Sequence, residues 1–262
     1  MFCTFDIPFL TLYTHIPVLV TAFFVGFFIY LQDRESLAHK YFFIFTSLFC
    51  FWVVSSLLQW YIHDVECNLF LARISIWYVF SMPVFVFFVR ALIKAPLSNT
   101  RKWFYFLLLL PVFGLTFSSY NTSIDPNNCD TEFGPLYFYI GFLCLFYLGE
   151  IIWSLFKSYR TVQEKKIHSQ IKILSFAIGF FLFWFLGLSV AIDAIVRFGY
   201  GEEWIAQVLP FGMLIFLAIV VYAMRRYSLF NIKLITASLA TVVIWILIGA
   251  LYFLLENENL LG

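Results

Sequence analysis

The chain has 262 residues, of which 63% are hydrophobic and 12% are charged, with a net charge of +1 and a mean hydropathy of +0.93. Soluble domains carry about 25% charged residues, so this composition excludes an ordinary soluble domain. The near-neutral net charge gives no indication of a nucleic-acid partner. The partner that the composition indicates is the lipid bilayer.

Eight apolar runs follow one another along the chain, each long enough to cross a hydrocarbon core of roughly 30 Å as a helix. They cover residues 8–31, 41–62, 69–93, 103–119, 136–156, 173–195, 205–224 and 234–255. Helices are expected because a lipid-exposed backbone must satisfy its own hydrogen bonds. The sequence therefore predicts an all-α, polytopic helical membrane bundle. Residues 1–233 form a seven-helix core, and residues 234–262 add an eighth transmembrane helix and a short external tail.

Lysine and arginine alternate between the predicted loops, and this alternation indicates orientation because cytoplasmic loops are enriched in both. The loop after the first span holds Arg34 and Lys40, whereas residues 63–68 hold neither type. The loops after the third, fifth and seventh spans are basic again, and those after the fourth and sixth hold only Arg197. The sequence predicts a multi-pass protein of the cell membrane with its N-terminus outside.

Glu150 is an ionisable residue deep within a span, and such residues are costly enough to be candidate functional residues. It lies roughly 21 Å from the outer end of its helix at 1.5 Å per residue, in the cytoplasmic half of the bilayer. Its candidate partners are Arg90 and Arg225. We interpret Glu150 and Arg90 as an intramembrane switch that differs between two helix packings. A static structural pair or a protonated Glu150 is the alternative.

A second group of polar residues lies at the outer ends of several spans. Asp193 and Arg197 are four residues apart on one helix face, so the two can pair. A ligand or stimulus site is predicted from six residues at this level: Arg73, Asp193, Arg197, Gln59, Gln207 and Trp77. The alternative is that long side chains reach the interface around a structural ion pair.

Two cysteines, Cys67 and Cys129, are predicted on the outer side. An oxidising compartment would allow a disulfide between them. The sequence does not fix the distance that such a bond requires.

Residues 222–233 read Tyr-Ala-Met-Arg-Arg-Tyr-Ser-Leu-Phe-Asn-Ile-Lys. Physically, this is a membrane-exit segment with arginines at the phosphate level between interfacial tyrosines. An ordinary basic loop with aromatic anchors is the simpler interpretation. The segment also resembles the stretch that closes the N-terminal seven-transmembrane sensor region of many bacterial histidine kinases, although Ser228 stands where that family often has arginine. Residues 170–174, Gln-Ile-Lys-Ile-Leu, are similar to the start of the family's sixth helix.

The resemblance implies a sensory input module that passes an outer-face or bilayer stimulus to a cytoplasmic output domain. It makes the exit segment the output segment, carried by Tyr222, Arg225, Arg226, Tyr227, Leu229 and Phe230. It also implies a homodimer of a two-component signal-transduction protein, working by a population shift between two helix packings.

No enzyme is expected within the chain itself. None of the histidines His15, His39, His63 and His168 lies in a phosphoacceptor sequence, and no glycine-rich nucleotide motif exists. A catalytic kinase domain would lie beyond Gly262. No cofactor or metal is expected. The alternatives are a small multi-pass transporter or permease subunit, and a membrane scaffold that binds a protein through its basic inner loops.

Overall fold

The computed structural model describes residues 9–62, 64–95, 97–124, 131–161, 168–169, 171–181, 183–184 and 210–226. These residues are mostly helical. Four helices among them are long and apolar enough to cross a membrane: Thr14–Gln32, Leu37–Tyr61, Val65–Leu92 and Leu136–Thr161. The prediction of a mostly helical chain with apolar helices long enough to cross a membrane is confirmed. The count of eight spans and the orientation stay predictions, and the eighth span lies outside the described residues.

Most of the described helices overlap the predicted apolar runs, and the two strands lie between the fourth and fifth runs. In chain order they are α1 (Phe9–Gln32), α2 (Leu37–Tyr61), α3 (Val65–Ser75), a 3₁₀ segment (Ile76–Phe80), α4 (Ser81–Leu92), α5 (Asn99–Leu107), α6 (Leu110–Leu115), β1 (Thr122–Ile124), β2 (Thr131–Phe133), α7 (Leu136–Thr161), α8 (Ile171–Phe181) and α9 (Phe211–Arg226).

Helices α1 and α2 form an antiparallel pair. The Cys50 thiol donates to the Leu19 carbonyl over 3.6 Å, and the rings of Tyr30 and Phe43 stack with centroids 5.2 Å apart. Gly26 brings the two backbones together, because a Cβ at this position would collide with the hydroxyl of Thr46. Small residues at such crossings let membrane helices pack closely.

Aromatic rings fill the centre of the bundle, where α2, α4 and α9 meet. Phe85 lies between Phe45 and Phe216, with ring centroids 4.9 Å and 5.5 Å away. Phe42 and Phe88 make the next contact between α2 and α4, at 5.2 Å. All five side chains are buried. These contacts place α4 against both α2 and α9 among the described helices.

The third predicted span, residues 69–93, is continuous but changes its winding in the middle. Helices α3 and α4 are joined by the 3₁₀ segment, and Pro83 follows within the first turn of α4. Proline has no N–H, and its ring clashes with the carbonyl four residues earlier, here that of Val79. The tighter winding just before Pro83 accommodates this clash.

The fourth predicted span, residues 103–119, is not a single helix, which corrects the sequence prediction. Helix α5 ends at Leu107, α6 begins at Leu110, and a turn at Leu108 and Leu109 separates them. Pro111, on the first turn of α6, cannot donate the hydrogen bond that would join it to the Leu107 carbonyl. The apolar run is therefore divided by its proline.

The all-α prediction also missed a short antiparallel hairpin, formed by β1 and β2, in the fourth loop. Ser123 pairs with Glu132 at its centre. The hairpin is tied to the start of α7, where the Leu136 N–H donates to the Tyr120 carbonyl over 2.9 Å. Gly134 makes this possible, because a Cβ there would collide with the Tyr120 backbone. Three-residue strands are too short to stand out in a hydropathy pattern.

Candidate functional site

An ion pair joins two apolar helices, α4 and α7, in the interior of the bundle. Arg90, near the end of α4, contacts Glu150 of α7 through its Nη2 atom, 2.5 Å from Glu150 Oε1. The two side chains are only 15% and 19% exposed. Removing either partner would leave a poorly solvated charge unpaired, so a single substitution at either position should be destabilising.

The hydrogen bonding of the pair is incomplete within the part of the chain that the structure describes. Arg90 Nε is buried and has no hydrogen-bond partner there. An arginine can donate five hydrogen bonds, and a buried donor without an acceptor is costly. A second arrangement of α4 and α7 that satisfied Arg90 Nε would therefore compete with the one described.

Tyr105 of α5 packs against this pair. Its side chain is buried, interacts with the Glu150 carboxylate, and stacks on Phe87 of α4 at 6.1 Å. Its backbone carbonyl accepts a 2.7 Å hydrogen bond from the Tyr147 hydroxyl. The sequence analysis missed both tyrosines, because nothing in the pattern distinguishes them from the other 13 of the chain's 15 tyrosines.

Two of the predicted outer-site residues, Arg73 and Trp77, fasten the segment after α6 to the third span. Arg73 Nε donates to the Thr122 carbonyl over 3.2 Å, and Trp77 Nε1 donates to the Thr116 hydroxyl over 3.1 Å. Asn121, whose side chain is buried, donates to the carbonyls of Arg73 and Thr116 over 3.1 Å and 2.8 Å. These hydrogen bonds give Arg73 and Trp77 a structural role, because they attach the segment after α6 to the third span.

Gln59, another residue of the predicted ligand site, forms hydrogen bonds at the end of α2. Its side-chain amide donates to the Ser55 carbonyl of its own helix over 3.1 Å, and its backbone carbonyl accepts from Asn68 over 3.2 Å. It therefore closes the turn between α2 and α3. Three further residues of the predicted ligand site lie outside the described residues: Asp193, Arg197 and Gln207. The ligand site stays a prediction.

The predicted output segment begins at the end of α9. Tyr222 is 49% exposed, and the helix continues through Arg225 to Arg226. Tyr227, Leu229 and Phe230 lie outside the described residues.

The predicted disulfide also stays untested. Cys67 is an exposed free thiol on the first turn of α3. Its backbone N–H donates over 3.0 Å to the carboxylate of Asp64, which caps this helix. Cys129 lies outside the described residues.

A buried polar group between α1 and α2 was not predicted as a site. The side chain of His15, 2% exposed, lies 2.9 Å from the Thr14 hydroxyl through Nδ1 and 3.5 Å from the Ser56 hydroxyl through Nε2. The hydroxyl of the neighbouring Thr14 on α1 and that of Ser56 on α2 thus satisfy an imidazole inside an apolar helix pair. The arrangement gives a structural reason for a histidine at this depth.

Comparison of the chain with protein-family models, curated proteins and solved structures finds no match.

Proposed function

We propose that this chain is the membrane-embedded sensory input module of a signal-transduction histidine kinase. A stimulus at the outer face or in the bilayer would shift the packing of its helices, and the segment after α9 would pass the shift to a cytoplasmic output domain. The proposal combines the resemblance of residues 222–233 with the chemistry of the bundle interior.

The observation that carries the proposal is the ion pair between Arg90 and Glu150. Intramembrane ionisable residues that face the bundle interior are a mark of functional sites. This pair joins α4 to α7, and its arginine keeps a buried N–H without an acceptor within the described residues. A sensor needs an element whose two arrangements are close in free energy, because a stimulus can shift the equilibrium only by its differential affinity.

The test uses membranes that contain the polypeptide encoded by the whole reading frame to which this chain belongs. They are incubated with ATP labelled at the γ-phosphate, and acid-labile, base-stable phosphohistidine is measured on that polypeptide and on proteins that copurify with it. We expect phosphohistidine, and we expect Glu150→Gln to change its level severalfold, because one arrangement of α4 and α7 loses its charge pair.

Gly141→Ala is the control, because Gly141 is on the same helix and a Cβ there meets no atom within 4 Å. It should leave the phosphohistidine level unchanged. Absence of phosphohistidine under all conditions would contradict the proposal. An unchanged level in correctly inserted Glu150→Gln protein would remove the ion pair from the mechanism.

A small transporter is the second candidate, and the division of the fourth span favours it. Interrupted helices inside a membrane often bind ions or substrates through backbone groups at the interruption. Proteoliposomes loaded with dyes for protons, Na⁺ and K⁺ distinguish the two functions. A sensor module should conduct none of these ions, whereas ion flux that Pro111→Ala alters would favour the transporter.

A further inference from the structure

Two neighbouring spans depart from regular α-helical winding near their middle, and we call each departure an interruption of the winding. The third span stays helical through the 3₁₀ segment between α3 and α4. The turn at Leu108 and Leu109 separates α5 from α6 in the fourth. A mid-helix 3₁₀ stretch often marks a hinge, and sharp changes of direction in helices usually have a proline as their cause. Pro83 and Pro111 supply that cause here.

The outer halves of the third and fourth spans contact each other through aromatic rings and hydrogen bonds. Phe70 of α3 stacks on Phe117 at 5.8 Å, and Trp77 stacks on Phe113 of α6 at 6.2 Å. The hydrogen bonds of Arg73 and Trp77 to the segment after α6 belong to the same set. We call α3, the 3₁₀ segment that contains Trp77, residues 110–124 and β2 the outer block.

The halves on the inner side contact each other as well. Phe87 of α4 contacts Tyr105 and Phe106 of α5 at 6.1 Å and 5.8 Å. Arg90 and Glu150 lie beside the same tyrosine. We call α4 and α5 the inner block. Each block takes one half of each interrupted span, so the boundary between the blocks coincides with both interruptions.

Helix α7 is continuous, and two of its tyrosine hydroxyls hold the inner block and the interruption of the fourth span. Tyr147 donates to the Tyr105 carbonyl in the inner block over 2.7 Å. Tyr139 donates to the carbonyl of Leu108, at the interruption itself, also over 2.7 Å. A backbone carbonyl without an intrahelical partner needs another donor in a bilayer, and Tyr139 supplies it.

We propose that the two interruptions form one hinge, about which the outer block tilts against the inner block, and that the Tyr139 hydroxyl is its latch. In the described arrangement the latch is closed on Leu108. Tilting breaks this hydrogen bond and moves the hairpin, Arg73 and Trp77 together relative to the Arg90–Glu150 pair. The hinge does not depend on the proposed function, since a sensor and a transporter could both use it.

The hinge is tested by the distance between spin labels in the outer and inner blocks, measured in the full chain in lipid nanodiscs. One label is attached to the native Cys67, which is exposed on α3, and the other to Thr100→Cys, exposed on α5. Cys3→Ser and Cys129→Ser remove competing thiols. Loss of one hydrogen bond shifts a two-state ratio about fivefold. We therefore expect Tyr139→Phe to raise a second distance population about fivefold.

Pro111→Ala restores the N–H that can bond to Leu107, so it should join α5 to α6 and reduce the distribution to one narrow population. The control is Tyr159→Phe, which removes a hydroxyl from a partly exposed tyrosine on the same helix. The opposite effects of the two test variants exclude simple destabilisation. The hinge is wrong if both variants give the wild-type distribution, or if Tyr159→Phe shifts it as much as Tyr139→Phe.

Discussion

Gly26 sets the distance between α1 and α2, and its replacement by alanine has a clear expected cost. The added methyl group would meet the Thr46 side chain, which is fully buried and cannot move aside into solvent. Overpacking of this kind costs about 1–3 kcal/mol. We predict that Gly26→Ala lowers the free energy of unfolding by this amount, measured by titrating the protein in mixed micelles with dodecyl sulfate.

Gly141→Ala makes the same chemical change in an open position of α7. It should stabilise the protein by about 0.5–1 kcal/mol, because alanine restricts the unfolded chain more than glycine does. Combining Gly26→Ala with Thr46→Gly should recover part of the lost stability. If both alanine variants changed the stability equally, helix propensity and not the α1–α2 contact would explain the result.

Single charged residues could be found from the sequence, whereas their uncharged neighbours could not. Arg90 and Glu150 stand out because a charge within an apolar run is costly, and the structure pairs the two. Tyr105, Tyr147 and Asn121 carry hydrogen bonds that are just as specific. Their residue types are common near membrane interfaces, so nothing in one sequence separates them from neighbours that face lipid.

The hairpin after α6 is the element whose attachment is easiest to disturb. Asn121 is buried and donates to two carbonyls, those of Arg73 and Thr116. Asn121→Ala leaves both without this donor, at a cost of about 1–3 kcal/mol for each buried group. We predict faster amide hydrogen exchange in residues 120–136, measured by mass spectrometry in nanodiscs, with α1 and α2 unchanged.

Ser119→Ala is the matched control, two residues away and exposed. It should leave the exchange of residues 120–136 as in the wild type. Faster exchange throughout the protein in Asn121→Ala would mean that the asparagine supports the whole bundle and not the hairpin alone.

Hydropathy predicted where the helices lie but not how they are interrupted. The apolar runs 41–62 and 136–156 became α2 and α7 with ends a few residues away. Pro83 and Pro111 lie in runs of similar hydropathy, yet one produces only tighter winding and the other divides its span. The difference depends on whether another side chain can donate a hydrogen bond to the carbonyl that the proline leaves without an intrahelical partner. A carbonyl at the division accepts from Tyr139, a contact 31 residues distant along the chain.

Two sets of polar contacts stand out among the described residues. Arg73, Trp77 and Asn121 fasten the segment after α6 to the third span, and Arg90 pairs with Glu150 between α4 and α7. Buried Phe42, Phe45 and Phe85 carry no polar atom that would oppose sliding. The proposed hinge would therefore move the first set relative to the Arg90–Glu150 pair without unfolding the bundle.

Orientation in the membrane decides which of these two sets of polar contacts lies nearer the outer face. Lysine and arginine predict that the turn before α3 is outside and the start of α5 is inside. Exposed Cys67 and Thr100 lie at these two places. We predict that a membrane-impermeant maleimide labels Cys67 in intact cells. Thr100→Cys, in a Cys67→Ser background, should react only after permeabilisation. The reverse labelling pattern would mean that the protein has the opposite orientation. The Arg90–Glu150 pair would then lie near the outer face, within direct reach of an external stimulus.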